Sequence, residues 1–579
     1  MTKEPKPRFD KFAIAATLQQ IAALMELKGG KYRFKAKAYN AGARSVQAVA
    51  NLDQLVKEDR LTSLPRIGDA LASQIKELYL TGESSVLKAL QEEFPVGTAE
   101  LSTVPGLSIA KVKQLQQELG IKSIAELKAA AEAGRIRELK GFGAKTEQRL
   151  LEAITSEKKK AKQRLHLHHA LNTAERIIEY LASSDEVIEV SAAGSLRRWK
   201  ETIGTIEFVV STNNPATILK HFLRFPMIIS SRQQGNTCFA ELADGASIIV
   251  TVVVPDEFAM TLFARTGSAS HVDKLARYAA DKKISFVIKD RSGSKRAPRS
   301  EEEIYRSLKM QFVPPELRED EGEIEAAWAN KLNEDLLALS DIKGMVHCHT
   351  TYSDGKHTIE QMARAAEAMG MKYITITDHS PTAFYANGVN VERLYRQWDE
   401  IDEVQSQVKI KLLRGTESDI LASGKLDYPD RILEQFDVIV ASIHARYKMD
   451  KAKMTERIIN AMREPVFKIW GHALGRLLER RPPFECDVER VLDVIAESQA
   501  AIEINGDPYR LDLEPRWVRE ARKRKIRFVI SVDAHSAGAL SNVKYGVAMA
   551  RRGWVRKGEV LNALPLAAFR KAVKPIADF

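Results

Sequence analysis

The stretch "MVHCHTTYSDG" at 345–355 reads as a strand that places His347 and His349 two residues apart, so that both imidazoles leave the same face while Cys348 points away. Asp354 follows in the next turn. Comparable residues recur downstream: His379 in "ITDHS", Glu417 in "GTESDI", His444 in "ASIHARY", His472 in "GHALGR", and Asp533 with His535 in "SVDAHS". Each ends or closely follows a short apolar run of the kind that forms a buried strand. If those strands are parallel, their C-terminal ends converge on one rim, and nine nitrogen and oxygen donors meet there, enough for two or three metal ions. Imidazole and carboxylate without thiolate suit Mn²⁺, Zn²⁺ or Fe²⁺. The three cysteines, Cys238, Cys348 and Cys486, have no paired spacing, which argues against a thiolate zinc site and against a disulfide framework. Asp378 and Asn505 are expected to orient ligands. Arg446 and Arg476, beside ligand-bearing loops, are candidate phosphate clamps.

The elements that must carry these donors lie in 338–579, where "YITITD", "DVIVASI", "AAIEIN" and "RFVISVD" alternate with amphipathic helices, the pattern of a parallel β/α barrel. The rest of the 579-residue chain is too long for one core and divides by pattern. Residues 1–92 and 93–160 are helical, 161–325 mix strands and helices, and "EDEGEIEAAWANKL" (319–332) reads as a helical bridge leading into the last region, with the linker at 326–337. The helical part contains an echo: "LTSLPRIGDALASQI", "LSTVPGLSIAKVKQL" and "IRELKGFGAKTEQRL" each read as helix, tight turn and second helix. This resembles the helix-hairpin-helix, in which glycines let backbone N–H groups at a helix start approach a phosphate. The matching glycines are Gly68, Gly106, Gly141 and Gly143. Arg66 and Ser108 stand where a further glycine would help.

Charge supports a nucleic-acid partner for this front part. Of the net +11, residues 1–165 hold 29 Lys and Arg against 19 Asp and Glu, so the remainder is close to neutral. A concentrated positive field is what counterion release at phosphates requires. Lysines 31, 35 and 37 are candidates for phosphate contact. No apolar run approaches the roughly 20 residues that span a bilayer, and the charged start lacks a hydrophobic signal core, so a cytoplasmic protein without a membrane partner is expected.

The pattern of the last 240 or so residues, with its HxHxxxSDG motif and terminal DxH, resembles the polymerase and histidinol phosphatase (PHP) domain. All nine ligand positions are filled, and the resemblance implies manganese foremost, with zinc or iron as alternatives. Between about 9 and 325 the chain resembles a family X DNA polymerase. "GSLRRWK" (Gly194, Ser195, Arg197, Arg198) has the form of its phosphate-gripping turn, "RTGSASHVDKLA" (Gly267, Ser268) its sugar-side turn, and "IYRSLKMQFVPPELREDEGEIEAA" the end of its thumb. Together these describe the bacterial and archaeal family X polymerases with a C-terminal PHP domain. The implied fold is multidomain α and α/β: a helix-hairpin-helix front, a nucleotidyltransferase-like α+β palm and thumb, and a PHP (β/α) barrel.

One departure is concentrated where polymerase chemistry happens. The resemblance implies a D-x-D pair and a third aspartate holding two Mg²⁺, hard oxygen ligands shared with the triphosphate. Here those positions read Thr205, Glu207 and Ile249. Glu207 has a longer arm, Thr205 offers a neutral oxygen and Ile249 offers nothing, so neither Mg²⁺ nor Mn²⁺ is expected to be well held. With about 1.4 kcal/mol per tenfold in rate and several kcal/mol per metal, polymerisation is expected to fall by several orders of magnitude. Gly194, Ser195, Arg198, Gly267 and Ser268 can still hold a dNTP weakly or a DNA end.

The expectation from sequence is therefore a monomeric DNA repair enzyme whose barrel hydrolyses phosphoesters at gapped, nicked or free 3′ ends. The resemblance suggests a 3′-5′ exonuclease, 3′-phosphatase or abasic-site endonuclease. The alternatives are an active gap-filling polymerase with 3′-5′ exonuclease, a non-catalytic DNA-end scaffold, and a hydrolase of small phosphate esters.

Overall fold

The computed structural model describes residues 11–28, 32–49, 52–93, 101, 104, 107, 109–157, 164–242, 244–284, 288–289, 295–332 and 335–575. Two compact units emerge. One comprises residues 1–164, 183–186 and 214–252, the other 165–182, 187–213 and 253–579.

In the first unit, helix Lys11–Lys28 buries Ile14, Leu18, Ile21 and Met25, a spacing of four, three and four that keeps one stripe on the core. Ile14 and Leu18 pack with Val46, Ile75 and Leu78 from helices Tyr32–Ala48 and Asp69–Thr81. A separate core of Val112, Leu115, Leu127, Ile136, Phe142 and Leu150 organises helices Ile109–Leu119, Ile124–Glu132 and Ala144–Glu157. The two hairpins share one backbone requirement. Arg66 has φ +66° and Gly141, at the matching place, φ +88°, so both turns pass through the left-handed region that glycine enters without cost. Strands Ile228–Gln234, Thr237–Leu242 and Ser247–Val253 pair antiparallel in chain order.

The second unit contains an antiparallel pair, Glu189–Ala193 with Ile206–Ser211, and a helical cluster built on Phe263, Leu275, Ile304 and Tyr305. Arg318 is fully buried in that cluster. Its guanidinium donates to the Val313 carbonyl at 2.9 Å, pairs with Glu301 and lies 5.3 Å from the Tyr305 ring centre. The charge is tolerated because it is both paired and hydrogen-bonded.

Most of the unit is the barrel. Its strands are β1 (Gly344–Met345), β2 (Tyr373–Ile376), β3 (Lys411–Asp419), β4 (Val438–Ser442), β5 (Lys468–Trp470), β6 (Ala500–Asn505) and β7 (Phe528–Ser531), seven in sequential order and all parallel. Beyond the ends of β1 and β7 a parallel bridge joins Cys348 to Ala534, with His349 N donating to Ala534 O at 2.9 Å and Ala534 N to His347 O at 3.0 Å. The seam is thus drawn together at the end where the histidines lie. Val346, Leu413, Val438, Ile469, Ala501 and Val529 pack with Phe569 and Val573 of helix Leu566–Val573, and the Phe569 ring stacks on Tyr373 at 4.7 Å. These apolar contacts anchor the strands whose far ends carry the polar residues.

The segment around Glu201 is fastened to the barrel by charge. Arg552, on helix Val543–Arg552, reaches the Glu201 carboxylate at 2.7 Å, and Arg476 lies 3.7 Å from its other oxygen. Burial opposes ionisation of Glu201, but the two guanidinium groups hold its carboxyl at about 2, against an ordinary 4.5. Its stabilising contribution is therefore complete above the ordinary glutamate range and is lost as pH falls toward about 2. Glu201→Gln leaves two arginines without their carboxylate and should lower stability by about 3 kcal/mol. Calorimetric unfolding at neutral pH should show the loss, and the gap between variant and parent should narrow in acid.

Candidate metal centre

All nine donors identified in the sequence meet at one end of the barrel. The strand expected to carry His347 and His349 is shorter than the sequence pattern predicts: β1 ends at Met345, and both histidines follow it in a segment that bends at His347 and makes a single bridge, Cys348 to Ala534. His379, His444 and His472 follow β2, β4 and β5, Glu417 is inside β3, and Asp533 and His535 follow β7. Three overlapping groups form: His349, Asp354, His379 and His535; His347, His349, Glu417 and Asp533; and His379, Glu417 and His444, each with ligand atoms within 4.8 Å of one another. His472 Nε2 joins the last at 2.9 Å from Glu417 Oε1 and 3.3 Å from His444 Nε2. Because Glu417, His349 and His379 each belong to two groups, the three positions are adjacent.

The donor set fits divalent metal. Among the described residues, His347 Nε2, both nitrogens of His349, His379 Nδ1, His472 Nδ1, Glu417 Oε2 and Asp533 Oδ1 are buried without a hydrogen bond. Several are nevertheless close to a counterpart, such as His349 Nε2 at 3.0 Å from Asp533 Oδ1 and His379 Nδ1 at 3.0 Å from Glu417 Oε2. Buried polar atoms normally have partners. Each neutral imidazole keeps one nitrogen lone pair, and where that nitrogen faces a carboxylate without hydrogen-bond geometry, as at His349 Nε2 and His379 Nδ1, the pair suits a cation between them.

Charges in the cluster are mutually dependent. Burial works against ionisation of Glu417, but His444, His347 and His379 hold its carboxyl well below the usual range. Burial and the neighbouring His379 bring His349 down to about 4, keeping it neutral and ready to ligate. His444 is driven the other way, to about 10, as Glu417 and Asp419 overcome its burial. Metal binding at His444 must therefore displace a proton.

A surrounding set of acceptors fixes the rings. Glu503, on β6, accepts from His347 Nδ1 at 2.7 Å, from Asn505 Nδ2 at 3.0 Å, and from Ser531 Oγ and the His472 backbone N–H. Asp419 accepts from His444 Nδ1 at 2.5 Å. Asp378 accepts from Thr350 N at 2.7 Å, Thr350 Oγ1 at 2.6 Å and Gln397 Nε2 at 2.6 Å, which pins the turn leading to Asp354. Carboxylates behind ligating histidines set tautomer and raise basicity. Glu503 and Asp419 were missed by the sequence reading. The period-two spacing of Glu503 with Asn505, and of Asp419 with Glu417, was the available signal.

The arginines require a correction. Arg476, expected as a phosphate clamp, is buried and committed: its guanidinium donates to Arg510 O at 2.9 Å and to Leu511 O, and pairs with Glu514 at 3.2 Å. It braces a loop. Arg510 is the better-placed cation, with Nε 3.5 Å from Asp533 Oδ2 and Nη1 buried without a hydrogen bond. Arg446 is exposed on the turn after His444, at φ +60°.

The polymerase-like positions are also internally engaged. Arg198, expected to grip phosphate, instead donates to Glu319 at 2.9 Å and to Thr266 O at 2.7 Å. The Ser268 hydroxyl accepts from His271 N as a helix cap, and a side chain at Gly267 would meet Val272. Ser195 is half-buried in the turn after Gly194. Thr205 precedes strand Ile206–Ser211, and Glu207, within it, lies 3.8 Å from Arg265. Burial raises the Glu207 carboxyl despite Arg265 and Arg198. Gly194, at φ +62°, lies against the Glu207 carboxylate: a Cβ there would come 2.5 Å from Glu207 Oε1. Ile249 pairs with Phe239 in the three-stranded meander.

Of the hairpin glycines, Gly68 and Gly143 immediately precede helices Asp69–Thr81 and Ala144–Glu157, and among the described residues nothing lies within 4 Å of the Cβ position at Gly68, Gly141 or Gly143. Bare backbone there is open to an approaching phosphate. Gly106 and Lys31 lie outside the described residues, while Lys35 is exposed with its ammonium 5.7 Å from the Tyr32 ring centre.

The parallel barrel with its histidine and carboxylate rim defines a PHP-type metal centre. A PHP domain model matches residues 345–507, a helix-hairpin-helix domain 10–84, a SAM-like helix-hairpin-helix tandem 98–156 and a DNA polymerase beta thumb 261–319. The chain is 35% identical over 561 residues to the DNA polymerase/3′-5′ exonuclease PolX of Bacillus subtilis (strain 168), covering 96% of this chain and 97% of that one. Probable phosphatases of Caldanaerobacter subterraneus and Acetivibrio thermocellus are 29% identical over 201 residues and 30% over 198, each covering 33% of this chain and 74% and 78% of theirs. The chain belongs to the family X DNA polymerases that carry a C-terminal PHP domain.

Replacing Glu503 by Gln removes the charge that orients His347. Metal affinity, read by competition with a chelating indicator, should fall about 10- to 100-fold. The rise in melting temperature on adding Mn²⁺ should shrink accordingly.

Proposed function

We propose that the nine barrel donors hold two or three divalent ions, manganese foremost, and that the protein hydrolyses phosphodiesters at DNA 3′ ends as a 3′-5′ exonuclease in DNA repair. The observation that carries this reading is the trio of donor groups sharing Glu417, His349 and His379. Ions bound in such a set supply charge stabilisation on phosphoryl oxygens and a lowered pKa for water. The chain's own groups supply the rest. Glu503 and Asp419 hold the imidazoles, and Arg510 presents a guanidinium nitrogen to a phosphate oxygen.

On this reading residues 1–92 and 93–160 hold DNA through the open hairpin glycines, 161–325 are a retained palm and thumb, and 338–579 cut. Nucleotidyl transfer is lost or strongly impaired, since a raised Glu207 carboxyl and a neutral Thr205 are poor metal ligands and the apolar Ile249 offers no donor. The Bacillus subtilis relative's name carries both a polymerase and a 3′-5′ exonuclease activity, and the hydrolytic half is the one assigned to this chain. The protein acts in the cytoplasm on gapped, nicked or free 3′ ends.

An end-labelled primer on a gapped template with Mn²⁺, with and without dNTPs, tests both halves. The unaltered protein should shorten the primer, His347→Ala should not, and extension should appear only, if at all, in Thr205→Asp/Glu207→Asp/Ile249→Asp. Extension by the unaltered protein that survives His347→Ala would establish the polymerase reading instead.

A further inference from the structure

The loop after His379 carries two aromatic side chains into solvent. Phe384 is 87% exposed, more than any other large apolar side chain described, and Tyr385 beside it is 67% exposed. Rings of this size normally gain their stabilising energy from burial. The loop nevertheless holds them in a defined place: Gly388 N donates to Ala383 O at 3.1 Å, Val389 N to His379 O at 2.8 Å, Thr382 N to Asp427 Oδ2 at 2.7 Å, and Asn387 Nδ2 to Tyr352 O at 3.2 Å. The Tyr385 ring centre lies 6.1 Å from those of both His379 and His444, at the edge of the donor cluster.

The neighbouring loop adds cations. Arg446 and Lys448 are exposed directly after His444, and the Arg481 guanidinium covers the Tyr447 ring at 3.9 Å. Exposed aromatic faces on an ordered loop beside a basic rim are the combination that binds unpaired nucleotides, with the bases stacked and the backbone neutralised.

We propose that Phe384 and Tyr385 form a stacking subsite for the base of the terminal nucleotide whose phosphodiester is presented to the barrel. This rests on the phosphodiesterase reading above and narrows its substrate to an unpaired 3′ end, since a base within a duplex already has its faces covered. A small phosphate ester without a base gains nothing from the subsite. It also accounts for two solvent-facing rings next to a buried polar centre.

The test uses the full chain and a short single strand ending in 2-aminopurine, whose fluorescence is quenched by stacking, without added metal so that cleavage does not intervene. The unaltered protein should quench the probe and bind base-ended strands roughly 5- to 150-fold more tightly than strands ending in an abasic residue. Phe384→Ala/Tyr385→Ala should lose both effects, and Phe384→Trp/Tyr385→Trp should keep them. Quenching that persists in the alanine pair, or equal affinity for the two ends, overturns the subsite. Hydrolysis of the same strands with Mn²⁺ is read separately. Cleavage with no quenching dependent on the pair would sink the subsite and leave the phosphodiesterase intact, whereas dependent quenching without cleavage would do the reverse.

Discussion

The carboxylate of Glu417 is the point on which the polar end of the barrel depends. It lies 3.0 Å from His379, 3.2 Å from His444, 2.9 Å from His472 and 3.3 Å from His347. Those histidines follow four different strands, so the contacts exist only while the parallel sheet curls and its edges meet. The bridge between Cys348 and Ala534 therefore matters beyond its few hydrogen bonds. It keeps the first and last strand ends, with His347, His349, Asp533 and His535, in reach of a carboxylate on the third strand. A buried anion is costly unless compensated, which ties integrity of the donor set to integrity of the fold.

A second constraint is that the donors must be held without being consumed. Glu503 spends its acceptor capacity on His347, Asn505, Ser531 and a backbone N–H, so it orients neighbours and has little left for a cation. Asp378 does the same for the turn that carries Asp354. The inner residues, by contrast, keep unpaired lone pairs. Opposite them, the apolar packing of Phe569 and Tyr373 against the strands removes freedom that would otherwise blur these positions. Preorganisation here is a division between residues that satisfy each other and residues left unsatisfied.

The donor set itself was legible because histidines at strand ends stand out against apolar runs, and parallel strands bring their ends together whatever the loops between them do. The hairpin turn was legible in part. Arg66 stands where the pattern calls for glycine, and its positive φ shows the backbone demand directly. Less could be read where a residue's role depends on a distant partner. Glu503 sits in "AAIEIN", which reads as a buried strand and names no histidine. Arg476 lies next to a ligand loop in sequence, yet its guanidinium turns to the carbonyls of Arg510 and Leu511, more than thirty residues away. Nothing local distinguishes it from Arg510. Nor does "RRW" disclose that Arg198 pairs with Glu319, 121 residues downstream.

That pairing bears on what the turn at 194–201 does for the fold. Arg197 binds Glu301 and Thr266, Arg198 binds Glu319, and Glu201 binds Arg552. Side chains of the turn at 194–201 thus fasten it to the thumb region and to the barrel's own helix Val543–Arg552. Breaking a buried pair by removing one partner costs more than the pair contributes, so these residues would be retained for folding even where nucleotidyl transfer no longer constrains them. Among the described residues, Thr205 and Ile249 make no side-chain hydrogen bond or ion pair, and Ile249 takes part in the strand pairing with Phe239. Glu207 makes only a 3.8 Å approach to Arg265 and rests against a glycine. On the reading proposed above, the positions free to drift are the ones whose former role was confined to chemistry, while those that also hold the molecule together remain.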